Sequence, residues 1–561
     1  MIVASAWLAT LPLRAADDPV VALPPFMVEE AAKGPPWRYA DLPGYEILSR
    51  CPDRSTKQVV ETHYKLHQLL AEILPERLQV KMSVPKAFIV YDEELQPAAS
   101  QEVIARLLRP EGSRPKVEMD SPIGRGFRLT PSAPRVSFLP NLRLWDRDAM
   151  AVFMIVRRDG FDADRLALTA HYVNYLVRTR LPALPLWFVS GFLSLYDGVV
   201  YDSGELTLPA NEWLANAAAV NATATTHPAA LPTLVPLEDF FAGRLALSDQ
   251  LGSVDAATRW RAQAALFVRW GLDGRGAPRR EALWKFVERS AILGVSEELF
   301  QECFGLDYAA AAQQLAAYLA TATRNTVRFR APRLPSPAMT LRNATDAQIA
   351  RIKGDWERME VTYVKVISPE LAPKYLEQAR RTLLRPYERD VRDPGMLAVM
   401  GLCEVDAGNE AGALGYLEAA ARLGPLRPRA MYELARLRLA AFKAVKPGDD
   451  VRLDASQAAQ LLSPLFAARA AEPPLPEVYE LIAEVWACCE AAPRRAHLAV
   501  LDEGVRLFPR RSALVQRVAE LNLQNGFREE AAALIAIGVR GAGDDATRDK
   551  FAEMLRRIEP W

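Results

Sequence analysis

Three side chains on one predicted helix, with a hydroxyl downstream of it, are the groups best placed to do chemistry. Residues 166–176 read Leu-Ala-Leu-Thr-Ala170-His171-Tyr172-Val-Asn174-Tyr175-Leu. The apolar spacing predicts a helix over 166–180, and residues four apart on a helix share a face. Ala170 and Asn174 form one such pair, His171 and Tyr175 another. The run Pro185-Leu-Trp187-Phe-Val-Ser190-Gly191 follows. A catalytic metal needs three protein ligands and one open position. Ala170, His171, Asn174 and Ser190 offer a methyl, an imidazole, a carboxamide and a hydroxyl. One imidazole with two neutral oxygens makes a poor metal site, so no metal ligand or catalytic residue is assigned among them.

The other histidines do not complete a set. His63 and His67 are four apart on a helix expected over 57–73, but Val60, Leu66, Leu69, Leu70 and Ile73 make it an amphipathic packing helix. His227 precedes Pro228 in a loop, and His497 falls in a helical repeat. Ser190, His171 and Asp197 match a hydrolytic trio in residue type alone. No phosphate-binding glycine loop and no Gly-x-Ser-x-Gly elbow occurs.

The spacing around 170–191 has a known counterpart. In zinc metallopeptidases a helix carries His-Glu-x-x-His, whose histidines share one zinc while the Glu activates water. In one group the third ligand is the Glu of a Trp-x-x-Glu-Gly turn. On that frame Ala170 replaces the first His, His171 the Glu, Asn174 the second His, and Ser190 the distal Glu. Residues 45–322 therefore resemble the gluzincin-like, peptidase-MA-like domains of secreted bacterial proteins. Two further stretches carry the resemblance. One is 181–196. The other is the series 236–241, 262–270 and 304–307, which corresponds to a short helix, a buried helix and a closing Phe-Gly segment. The resemblance implies a zincin-like α+β fold, and the replaced ligands imply a catalytically inactive member with no cofactor. Zinc enters only under the alternative of a peptidase with a non-standard site. A purely structural scaffold is a further alternative.

The elements that must position these residues are legible by periodicity. Strands are expected at 45–49, 86–91, 126–130, 135–139 and 150–156. They give a mixed-sheet lobe over 45–160, followed by a helical lobe over 161–322 with loops at 201–212 and 221–234. Residues 323–343, broken by prolines and holding one short strand at 326–330, are expected to be a linker. Residues 344–561 resemble tetratricopeptide repeats, all-α helix pairs of ~34 residues that stack into a solenoid. The clearest repeat is 393–401 with 408–420. Gly526 marks a turn in a later one, and an insertion near 446–453 breaks the period.

Composition narrows the function. The chain has 561 residues, 50% of them hydrophobic, and its 69 basic residues balance 69 acidic ones. That balance speaks against a nucleic-acid carrier, which needs a basic stripe. Five scattered cysteines, including the adjacent Cys488 and Cys489, fit neither a disulfide framework nor a zinc motif. Residues 1–16 read as a signal peptide with an apolar run ending at Leu13, and 17–44 as a proline-rich extended arm. No other run is long enough to span a membrane. The expectation is an exported, periplasmic or extracellular protein that holds a protein or peptide partner in its repeat groove. Its oligomeric state is not legible.

Overall fold

The structure is a computed structural model. It describes residues 35–61, 64, 74–75, 86–92, 142–156, 177, 180–196, 200–202, 205–208, 234–243, 254–273, 277–330, 338–367, 369–445, 452–542 and 545–558. The first segment, with the expected signal peptide, and the expected strands at 126–130 and 135–139 lie outside these residues.

The N-terminal part is a mixed sheet. Strands β1 (Arg38–Leu42), β2 (Tyr45–Ser49), β3 (Lys86–Asp92), β4 (Leu142–Trp145) and β5 (Met150–Val156) join the short β9 (Arg342–Asn343) in the order β4-β5-β3-β2-β1-β9. The central strands β2, β3 and β5 run parallel, and β4 and β1 flank them antiparallel. Register aligns Ile47 with Phe88 and Phe88 with Val152, and one residue on aligns Leu48, Ile89 and Phe153. Side chains alternate between faces along a strand. The first row enters the core shared with the helical lobe, and the second packs on the far side against Trp356.

The helical lobe comprises α1 (Leu186–Tyr196), α2 (Leu237–Ala242), α3 (Val254–Leu272), α4 (Ala277–Leu293), α5 (Glu297–Phe304) and α6 (Tyr308–Ala322). Gly305, at φ 67°, ends α5, and the Asp307 carboxylate caps α6 by accepting the Ala310 N–H at 2.7 Å. Within the loop expected over 201–212 the structure has a hairpin, β6 (Val200–Asp202) and β7 (Glu205–Leu208), extended by β8 (Val327–Arg330). Within 323–343, the short strand expected at 326–330 is β8, which pairs with β7, and β9 pairs with β1. The arm likewise ends inside the sheet as β1.

The C-terminal part is a helical-repeat array. Its pairs are α7 (Asp346–Ile367) with α8 (Ala372–Tyr387), α9 (Pro394–Asp406) with α10 (Glu410–Leu423), and α11 (Pro428–Val445) with α12 (Ala455–Ala470). Then come α13 (Pro476–Cys488) with α14 (Arg495–Leu507), α15 (Ser512–Gln524) with α16 (Arg528–Gly541), and a last helix α17 (Asp545–Arg556). First helices neighbour first helices from α7 through α17, forming one layer. From Pro394 to Pro428, the starts of α9 and α11, the spacing is 34 residues. Where α9 meets α10, Gly401 packs on Leu417: a Cβ there would sit 2.6 Å from the leucine side chain. Near the irregular insertion, Leu453 closes against the end of α13, its N–H donating to the Cys488 carbonyl at 2.8 Å.

Sheet and array are locked by a buried ion cluster. The β4–β5 turn supplies Asp146 and Asp148, α7 supplies Asp355 and Arg358, and α9 ends in Asp406. Arg427 and Arg429 stand at the start of α11. Asp146 Oδ2 accepts from Arg358 and Arg427, both at 2.6 Å, and from Arg429. Asp406 accepts from Arg358 at 2.7 Å and from Arg429 at 2.6 Å. Asp148 accepts the Arg429 backbone N–H at 2.8 Å, and its other oxygen lies 3.0 Å from Arg427. Arg358 is 1% exposed and Asp148 fully buried. Burial alone raises a carboxylate pKa, but the three guanidiniums hold Asp146 well below the ordinary range. Asp148 goes the other way: burial, then the Asp146 charge, push it up. Four carboxylates and three guanidiniums thus share the cluster.

Removing one partner of a buried cluster strands the others, at a cost of about 3–5 kcal/mol. Asp146→Asn is therefore expected to lose about 3–5 kcal/mol in urea unfolding. Asp148→Asn, at a carboxylate whose charge burial already disfavours, should cost distinctly less. The depressed Asp146 and Asp355 contribute stability above the ordinary aspartate value of 3.8 and lose it as pH falls below. Thermal melts should show Tm dropping through that acidic range in the native chain and dropping less steeply in Asp146→Asn.

Candidate functional site

Of the four sequence-selected positions, Ser190 is described, while Ala170, His171 and Asn174 lie outside the described residues. Ser190 sits mid-way along α1, half-buried, its carbonyl accepting the Ser194 hydroxyl at 2.9 Å. Trp187, one turn earlier, is a core residue: it stacks on Phe286 at 5.5 Å and meets Phe267 edge-on at 5.2 Å. Gly191 sets how closely α1 approaches α3. A Cβ at this position would lie 2.3 Å from the Ala264 carbonyl oxygen, and backbone cannot step aside as a flexible side chain can. Thus Trp187 and Gly191 hold the helix in place, and Ser190 lies between them on its half-buried face.

The hydroxyl that Ser190 offers is a weak neutral metal ligand. Among the described residues, no three His, Cys, Asp or Glu side chains gather closely enough to hold a metal ion. Phe192, one residue beyond Gly191, stacks on Phe188 at 5.6 Å in the same core. His497, expected as a repeat residue, lies flat on Trp486 at 5.0 Å, and its ring nitrogen accepts the Arg494 N–H. The five cysteines are unbridged, and burial pushes the Cys403 thiol up to about 12. No helix among the described residues is long and apolar enough to cross a membrane.

Two features are invisible to motif reading. One is a cavity of 620 Å³ beside the start of α1, lined by Trp187, Phe241, Trp260 and Tyr308 and, from the array, by Arg510. The other is the contact of the β4–β5 turn with the first-helix layer. Besides the ion cluster, Arg147 lies 5.6 Å over the Tyr432 ring of α11 and 3.9 Å from Glu477 of α13. Directly, or through the arginines it shares with Asp406, the turn is thus tied to the first helix of four consecutive pairs. Farther along the same layer, Glu484 of α13 accepts from Lys443 of α11 at 2.7 Å and from Arg517 of α15 at 3.4 Å.

No family model matches the chain. No curated protein matches it. A solved structure described as a thermophilic TPR protein in Thermus thermophilus is similar at 20% identity. The match covers 36% of this chain and 99% of that one, with a TM-score of 0.25. The helix pairs of this chain establish its repeat architecture without that likeness.

Gly191 gives a direct check on the α1–α3 contact. Overpacking a close helix crossing costs typically about 1–3 kcal/mol. Gly191→Ala should lower stability by at least that much in denaturant unfolding, whereas Ser190→Ala, on the half-buried face, should change it little.

Proposed function

We propose that this protein is a non-catalytic scaffold. In this reading an exported, metallopeptidase-like domain presents tetratricopeptide-like repeats that hold a protein or peptide partner. Support for the inherited frame comes from the order of its parts. Parallel strands precede the Trp187–Gly191 helix, then come the short helix α2, the buried helix α3 and the Gly305 stop. Support for lost chemistry comes from the side chains at the four motif positions, with Ser190 on α1 the observation that carries it. Partner binding rests on the array. Helix pairs in series form a layer of first helices, the layer such solenoids use for recognition.

The ion cluster favours a second reading. The β4–β5 turn already engages α7, α11 and α13, and α9 through the arginines on Asp406, so the repeats serve at least partly to brace their own sheet. A partner would then use what remains of the layer, the stretch from Lys443 across Glu484 to Arg517.

Writing the ligands back tests the frame. The quadruple change Ala170→His, His171→Glu, Asn174→His and Ser190→Glu should take up about one zinc per chain, read by plasma mass spectrometry after dialysis. The native chain should hold far less. A folded quadruple variant without zinc would refute the metallopeptidase frame. Near-stoichiometric zinc in the native chain, abolished by His171→Ala, would establish the alternative of a peptidase with a non-standard site.

A further inference from the structure

The array is held to the rest of the chain at two ends, and the two holds differ in kind. At the near end the hold is deep. Asp146 of the β4–β5 turn meets Arg358, Arg427 and Arg429, and α7 packs Trp356 against Phe153 of β5. Arg351 of α7 adds a pairing with Glu46 of β2 at 2.7 Å. At the far end, α16 lies against α4. There Arg510, from the loop between α14 and α15, donates to the Ser290 carbonyl at 2.8 Å. Among the described residues this is the one hydrogen bond that crosses from residues 508–558 to the helical lobe, and no ion pair accompanies it.

The far hold is also superficial. Ser290 lies in the last turn of α4, where carbonyls carry partial negative charge and attract a cation, but at an exposed site that attraction is small and screened by salt. Arg510 is itself exposed. Ile292 and Leu293, two and three residues beyond Ser290, stay 53% and 42% exposed. Hydrophobic stabilisation scales with the apolar area removed from water, so a contact that leaves these side chains in solvent gains little from it. The near end, by contrast, buries Trp356 with Phe153, Ile89 and Leu48 in one cluster. Helix pairs in a solenoid touch only their neighbours, so an array fixed at one end can flex along its length. Ion pairs of Arg511 with Glu480 and of Arg517 with Glu484 keep α15 on α13, so the last pairs move together.

We propose that the far end of the array is a latch: the last helix pairs swing off α4, with the Arg510–Ser290 hydrogen bond as the catch and the Asp146 cluster as the fixed end. Arg510 is also the array's contribution, among the described residues, to the lining of the cavity beside α1. Swinging off takes that side chain away from the cavity.

Double electron–electron resonance on the full chain tests it, with spin labels carried on introduced ketone residues so that the native cysteines stay unlabelled. One label pair spans the latch, at the exposed positions Gln314 of α6 and Asp549 of α17. The other spans the fixed end, at the exposed positions Gln58 beside the sheet and Asp390 after α8. Arg510→Gln, at an exposed side chain, should raise the population at longer Gln314–Asp549 distances at least about threefold and leave the Gln58–Asp390 distances as they are. Unchanged or shorter distances across the latch in that variant would overturn the proposal. Lengthening of both pairs alike would overturn it too, because the array would then be moving at its fixed end.

Discussion

The arrangement of this molecule depends on one carboxylate oxygen. Asp146 Oδ2 accepts hydrogen bonds from Arg358, Arg427 and Arg429, which come from two different first helices of the array. The oxygen belongs to the turn between the edge strand β4 and the parallel strand β5, so the sheet's edge and the array's first helices share one anchor. A buried ion cluster is weak evidence for net stability, because desolvating its members offsets much of their attraction. Its physical effect here is positional. Guanidinium and carboxylate geometry accepts few alternatives, and a sheet shifted by one residue would put the wrong side chain in the turn.

That anchor changes what the array is. A solenoid normally offers its inner layer to a ligand. Here the layer receives a turn of its own chain, with α7 packed on the sheet through Trp356 and Phe153 at 5.8 Å. Helix α7 is therefore both the first helix of the array and the outer layer of the α/β domain. Beyond the turn, the layer continues as exposed, mutually paired charges, Lys443, Glu484 and Arg517. The far end is tied again where Arg510 reaches the end of α4.

Periodicity is enough for the parts of the fold with strong local signals. The strands at 45–49, 86–91 and 150–156 and the helix pairs around Asp393, Asn409 and Gly526 are readable, because alternation, N-caps and a left-handed glycine are local chemistry. The β6–β7 hairpin is not, since its strands are short and its third partner, β8, lies more than a hundred residues on. The coupling of Asp146 to Arg429 is beyond sequence reading for the same reason: the charged residues there look like solvated surface until the fold brings them together. Site reading meets a different limit. Trp187, Ser190 and Gly191 read as a degraded catalytic turn, and the structure places Trp187 and Gly191 as packing residues of α1. The cavity alongside is not legible, because it is assembled from α1, α2, α3, α5, α6 and a loop of the array, and no motif spans those segments.

Chain order gives the Asp146 anchor a temporal meaning. Domains fold broadly from the N-terminus as synthesis proceeds. The β4–β5 turn emerges long before Arg427 and Arg429, which lie 281 and 283 residues downstream. Until those residues are made, the turn presents two aspartates to water without two of their three eventual guanidiniums. The array must therefore close over an edge that has waited, hydrated and acidic, for its partners to be translated. The turn can be dehydrated by its full set of guanidiniums only once synthesis has reached the start of the third helix pair.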